Sequence, residues 1–161
     1  MADTERRELK CLVLPMLHGP GVLVPASLVA EIVTQQEVSD PPGSADWLLG
    51  MGAWRGTEIP LVSFERLSGV APAEPLEASG RYVVLFSLEP DQAPAYYGLA
   101  IRALPRSETI DAERLEGRER APDDAEVIAL RGRLGDRECV VPDLDALVRA
   151  VRGEMGGGAA A

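Results

Sequence analysis

The chain is 161 residues long with a formal net charge of −10 and a sequence pI of about 4.6, so it lacks the basic balance that nucleic-acid binding requires. Hydrophobic residues make up 46 %, enough to bury a core in one domain, or in two fused subdomains, without metals or disulfides. No run of 18 or more apolar residues occurs and the charged start Met1–Glu8 holds no apolar signal core, so neither a membrane helix nor a secretory leader is expected, and the cytoplasm is the expected compartment.

Residues 1–8 are expected to form a flexible arm. From Leu9 onward, short apolar runs are broken by Gly and Pro, with few stretches of helical period, which is the signature of a β-barrel or sandwich. The first run, Leu9–Leu17, is apolar at nearly every position and predicts a strand covered on both faces. His18-Gly19-Pro20-Gly21 turns the chain into a second strand at Val22–Val24. Ser27 is placed to cap a short helix carrying Leu28, Val29, Ile32 and Val33. Strands follow at Trp47–Arg55 and Glu58–Phe64, and Pro60 within the latter predicts an edge strand or a bulge. The Pro/Ala/Glu-rich segment 69–80 has the composition of a linker. Strands are then expected at Arg81–Leu88, Tyr96–Ile101, Val127–Leu134 and Glu138–Val141, the last two joined by a hairpin turn at Gly135-Asp136. Asp143 caps a final helix in which Leu144, Leu147, Val148 and Val151 share one face and Arg149 and Arg152 complement the helix dipole. Residues 153–161 are expected to be a flexible Gly/Ala tail.

Two segments echo each other. Ile59-Pro-Leu-Val-Ser63-Phe64-Glu-Arg-Leu67 aligns with Cys139-Val-Val-Pro-Asp143-Leu144-Asp-Ala-Leu147, each an apolar strand running into a capping Ser or Asp and then two apolar residues three apart. Upstream, Cys11-Leu-Val-Leu matches Val83-Val-Leu-Phe in character. An internal duplication follows: two small barrels, each too small to bury a core alone, sharing one between them. The expected division is a first subdomain at 9–68, a linker at 69–80 and a second subdomain at 81–152.

The residues that carry chemistry give no active site. His18, the one histidine, lies beside a Gly-Pro-Gly turn with no orienting partner in view. Cys11 and Cys139 sit in separate apolar runs and are expected as buried small hydrophobes, so a metal site lacks nearby N/S ligands. Asp123-Asp124 and Asp143/Asp145 are carboxylate pairs better suited to solvation and capping. Gly50-Met-Gly52-Ala-Trp-Arg-Gly56 lacks the spacing of a dinucleotide-binding loop, and its glycines are expected to permit a tight bend in a strand. No catalytic, cofactor-binding or metal-binding residues are assigned.

The stretch Trp47-Leu-Leu-Gly-Met-Gly-Ala-Trp-Arg-Gly-Thr-Glu-Ile-Pro-Leu-Val-Ser-Phe64 resembles the signature of the CheW-like family, the coupling adaptors of bacterial chemotaxis. Gly50, Arg55-Gly56, Ile59-Pro60-Leu61-Val62 and Phe64 fit its pattern of an apolar strand, Gly, Arg-Gly, then apolar-Pro-apolar-apolar-Asp-Leu. Leu23-Val-Pro25 followed by Leu28-Val-Ala-Glu31-Ile32-Val33 is a second match, and Asp40-Pro41-Pro42-Gly43 resembles the loop that precedes the signature strand. The closing helix Asp143–Val151 is a third, so the resemblance covers roughly 9–152. Ser63 stands where the family has Asp, and Trp54 replaces Leu or Asn. This variant resembles the ChpC subgroup, which is associated with control of type IV pili and twitching.

The resemblance implies a mainly β fold of two SH3-like five-stranded β-barrel subdomains packed on a common hydrophobic core, with a few short helices and a C-terminal helix. It implies a non-catalytic adaptor that bridges the regulatory domain of a CheA-type histidine kinase to the cytoplasmic helical hairpin of chemoreceptors. Partner-binding roles then fall on Glu31, Trp54, Arg55, Gly56, Pro60 and Ser63. Glu31 and Arg55 match family positions with opposite charges and are expected to pair, either ordering a partner-facing turn or fixing a turn inside the barrel. Strand alternation would place Trp54 and Arg55 on opposite faces. A kinase-binding regulator that ignores receptors is an alternative, and an enzyme or small-ligand binder on a double barrel is a more distant one.

Overall fold

In a computed structural model that describes residues 8–41, 43, 45–69, 80–88, 91, 93–111, 115–119 and 124–159, strands dominate. In chain order they are β1 (Leu9–Leu14), β2 (Gly21–Pro25), β3 (Val29–Val33), β4 (Leu48–Trp54), β5 (Thr57–Val62), β6 (Arg81–Phe86), β7 (Tyr96–Ile101), β8 (Arg106–Ile110), β9 (Leu115–Glu119), β10 (Ile128–Leu134) and β11 (Arg137–Pro142). Helix α1 (Phe64–Ser68) follows β5, and α2 (Leu144–Ala159) follows β11. Among the described residues no helix is long and apolar enough to cross a membrane.

The strands form a six-stranded sheet in the order β8-β1-β2-β11-β10-β9 and a five-stranded sheet in the order β3-β6-β7-β5-β4. Each contains one parallel join, β2 with β11 and β5 with β7, and every other pairing is antiparallel. The two orders superimpose: β8-β1-β2-β11-β10 repeats β3-β6-β7-β5-β4, with β9 added at one edge. The strand-cap-helix pairs aligned in sequence, β5-α1 and β11-α2, therefore occupy equivalent places, as do β1 and β6. Both caps form: Ser63 Oγ accepts the amide of Arg66 at 3.3 Å, and Asp143 Oδ1 accepts that of Ala146 at 3.0 Å.

The division into barrels differs from the one expected at the linker. Strands β3–β7, residues 29–101, make one barrel, whereas the other combines β1 and β2 with β8–β11. The parallel joins cause this, because each pairs a hairpin with a strand distant in sequence. In sequence the expected linker falls between α1 and β6, elements flanking strands of the same sheet, and its residues 70–79 lie outside the described ones, as do those of the arm at 1–7.

Three apolar clusters result. Trp54, Ile59, Leu61, Tyr82, Val84 and Ala100 fill the five-stranded barrel, and Cys11, Leu23 and Ile110 the six-stranded one. The largest lies between the barrels, where Leu14, Val24, Val62, Phe64, Val83, Leu85, Tyr97 and Leu99 meet Leu147 and Val151 of α2. Strand β1 divides two of these clusters, Cys11 and Val13 facing one and Leu12 and Leu14 the other, which is why Cys11–Leu14 is apolar at every position. The space between the barrels is thus packed with side chains rather than open to a ligand.

Four further expectations change. The helix capped by Ser27 is instead a 3-10 turn, Ala26–Leu28, running into β3. The β-branched Val29, Ile32 and Val33 favour a strand once β6 offers a ladder, and that pairing overrides the helical spacing. Pro60 is not at an edge, since β5 lies between β7 and β4. Met51, its partner on β4, turns its own N–H and C=O outward to Ser39 at 3.0 and 2.8 Å, so Met51 and Pro60 form a non-hydrogen-bonded pair. The imide nitrogen of Pro60 therefore faces β7, where pairing starts only at Leu61, and no ladder bond is lost. The ladder's irregularity falls on β4, between Leu48 and Gly50. Strands β8 and β9 were not expected, being polar edge strands without alternation. Finally, α2 runs to Ala159 rather than ending near Arg152. Met155 packs on the central core, and Glu154 accepts the amide of Ala45 at 2.9 Å, holding the first part of the expected tail in the helix.

Candidate functional site

The five-stranded sheet has two edges, β3 and β4, and the residues that bring them together form its most distinctive surface feature. Strand β4 ends at Trp54 and turns back at Thr57 through Arg55 and Gly56, a two-residue hairpin. Both turn residues have left-handed backbones, φ 48° at Arg55 and 77° at Gly56, the requirement of a type I′ turn. Glycine meets it without strain, and arginine does so at a cost of about 1–2 kcal/mol. Gly56 is exposed and contributes conformation rather than a side chain.

Across the edge, Glu31 stands on β3. Its Oε1 accepts from Arg55 Nη2 at 2.8 Å and its Oε2 accepts from Trp54 Nε1 at 3.1 Å, so one carboxylate holds both side chains. The Arg55 guanidinium lies over the Trp54 ring, 5.0 Å from its centroid. The pairing expected between Glu31 and Arg55 is present, but Trp54 and Arg55 do not diverge. Arg55 belongs to the turn, where strand alternation no longer applies, and both residues converge on Glu31. The two hydrogen bonds, that from Arg55 first, hold the Glu31 carboxyl below its ordinary 4.5.

Burial divides the trio. Trp54 is 8 % exposed and anchors in the barrel interior, whereas the Arg55 and Glu31 side chains are 67 % and 39 % exposed. From Trp54 an aromatic row leads outward, to Tyr96 at 4.8 Å between centroids and on to Phe86 at 5.4 Å. Phe86 is 39 % exposed, so the rim presents an aromatic ring and an arginine together. Sequence reasoning missed Tyr96 and Phe86. They lie opposite each other in the β6–β7 ladder, beside the connection between the two strands, and only that hairpin register could have marked them.

Pro60 and Ser63 do not join this surface. Both are buried, Pro60 within β5 and Ser63 as the cap of α1. Their part is internal: they set the strand and helix that carry the core beneath the rim. Gly50, the other signature glycine, has φ 154°, and a Cβ there would come within 2.1 Å of the Ser39 carbonyl oxygen. It is glycine because the segment carrying Ser39 crosses directly over it.

Among the described residues no cluster of three or more His, Cys, Asp and Glu side chains could hold a metal ion. Burial raises the thiols of both Cys11 and Cys139 above the ordinary range, which suits packing rather than nucleophilic or ligand chemistry. What the rim can do chemically is bind: a planar cation, an exposed ring and a carboxylate, mounted on a barrel edge.

Comparison with known proteins agrees with this architecture. A family model described as the CheW-like domain matches residues 12–152. Among solved structures, the scaffolding protein TtCheW from Thermoanaerobacter tengcongensis superposes with a TM-score of 0.66 at 18 % identity, covering 84 % of this chain and 89 % of that one. That likeness is one of fold. No curated protein matches the chain.

Proposed function

Because the chain belongs to the CheW-like domain family, matched over residues 12–152, we propose that it is a non-catalytic signalling adaptor that couples a CheA-type histidine kinase to chemoreceptors. The observation that carries this reading is the rim where Arg55 and Phe86 are exposed above a buried Trp54. Aromatic and arginine side chains dominate the energetics of protein interfaces, and they do so best when rigidly held. Here Glu31 fixes Arg55, and the stack of Trp54, Tyr96 and Phe86 fixes the ring.

The coupling is geometric. The regulatory domain of the kinase, itself related to this fold, docks barrel against barrel, and the cytoplasmic helical hairpin of a receptor engages the same rigid body elsewhere. The packed central core and α2 keep the two barrels from moving independently, so a shift at one contact reaches the other. Differential contact in the two signalling states supplies about 1–3 kcal/mol of coupling. The Trp47, Trp54 and Pro60-Leu-Val-Ser-Phe-Glu65 pattern, with its ChpC-like character, supports an output on type IV pili.

Calorimetric titration of the protein with the isolated regulatory domain of its kinase tests the reading. Saturable binding is expected, weakened about tenfold by Arg55→Asn, the loss of one interface anchor worth about 1.4 kcal/mol. No binding to that domain, with the protein folded, contradicts it.

A further inference from the structure

Helix α1 carries a carboxylate buried where the rim has no use for it. Glu65 is 1 % exposed. Its Oε2 accepts the backbone N–H of His18 at 3.3 Å, and the backbone amides of Glu65 itself and of Leu17 also act on the carboxylate. Oε1 is buried with no hydrogen-bond partner among the described residues. The surrounding slot, about 10 Å³, is lined by Met16, His18, Pro20 and Val22 from the β1–β2 loop and β2, Phe64 and Ser68 from α1, and Val140 from β11. Of the residues that line the slot, His18 is the one titratable side chain besides Glu65 itself. On the same helix Arg66 turns away, donating to the Asp46 carbonyl at 3.1 Å.

The loop held by Glu65 is also a wall. Pro15, Met16, Gly19, Pro20 and Gly21 line one side of an open cleft of about 1100 Å³ whose other sides come from the β7–β8 and β10–β11 connections. We propose that Glu65 is a proton-operated latch: protonated, it keeps the β1–β2 loop closed against α1, and on losing its proton to solvent it releases the loop and reshapes the cleft.

The sign follows from burial. An ionised carboxylate in this slot lacks a cation and has one oxygen bare, so its charged form is disfavoured and its affinity for the proton is raised above the ordinary 4.5. The closed loop therefore binds the proton more tightly than the open one. Closure is strongest below that ordinary value and is lost as pH rises through the raised one.

Amide hydrogen exchange of the full chain between pH 5 and pH 8 tests the latch. After correction for intrinsic rates, protection at Leu17 and His18 should fall with a limiting slope of about tenfold per pH unit as pH rises from the ordinary carboxyl value to the raised Glu65 midpoint, as release of one proton requires, and level off above it, while Val83 and Leu99 in β6 and β7 stay flat. In Glu65→Gln, which keeps an acceptor but cannot ionise, protection at Leu17 and His18 should not change with pH. Parallel profiles in the wild type and in Glu65→Gln would overturn the proposal. Should that variant fail to fold, the carbon-13 titration of the Glu65 carboxyl in the wild type decides alone. A midpoint above the ordinary range that tracks loop protection supports the latch, and a midpoint at or below it, or one unrelated to the loop, overturns it.

Discussion

Arg55→Asn separates the two roles that Arg55 could have. The residue sits at φ 48° in a type I′ turn ahead of Gly56, and Asn-Gly is the pair such turns prefer. Arginine there costs the backbone about 1–2 kcal/mol, much of which asparagine recovers because its short side chain tolerates the left-handed region. Against this stands the loss of an exposed ion pair, 67 % and 39 % accessible on its two sides, and pairs of that kind contribute little. The net effect on stability is between nothing and a gain of about 1 kcal/mol, or a rise of up to about 3 °C in Tm for a chain of this size. Binding should move the opposite way, with about a tenfold rise in Kd for the kinase domain. Differential scanning calorimetry and the binding titration, run on one preparation, read both. A Tm lowered by more than about 3 °C would show that the guanidinium holds the barrel edges together. An unchanged Kd would show that the rim is not where the partner docks.

Leu147→Ala opens a void in the cluster shared by both barrels, where Leu147 is fully buried, and should lower stability by about 2–5 kcal/mol in urea unfolding as one cooperative transition. Gly50→Ala forces a Cβ against the Ser39 carbonyl, so protection of the Ser39 and Met51 amides should drop in hydrogen exchange while Leu99 keeps its own. The Glu31 carboxyl, held low by Arg55 and Trp54, should titrate below its ordinary 4.5. Its contribution to stability is complete above that ordinary value and lost as pH falls through the depressed one. Carbon-13 titration should show the midpoint moving up in Arg55→Asn and, to a smaller extent, in Trp54→Phe.

Much of the fold was legible because its strongest signals are local. Ser63 and Asp143 follow apolar strands and precede apolar residues three apart, and both cap helices. Gly135-Asp136 closes the hairpin between β10 and β11. The long apolar run at β1 foretold burial on both faces. What was not legible depends on partners distant in sequence. Val29–Val33 has a spacing that serves either a helix or a strand, and only β6 decides. Strands β8 and β9 are polar edges, whose pairing lies in the backbone rather than in side-chain pattern. The barrel formed from both ends of the chain follows from parallel joins that leave no mark on composition. At the rim, the resemblance to the family at positions 31 and 55, together with their opposite charges, announced a pair, but the positive φ at Arg55 that turns it over Trp54 runs against residue preference. Glu65 sits one residue into a short helix on a solvent-like sequence pattern, and only the loop folded over it makes it buried.

Co-sedimentation with receptor-bearing membranes, with and without the kinase, bears most directly on the adaptor reading. The protein should pellet with receptors on its own, and the kinase should follow it into the pellet only when the protein is present. A protein that stays in the supernatant under both conditions, or a kinase that pellets equally well without it, would contradict the account.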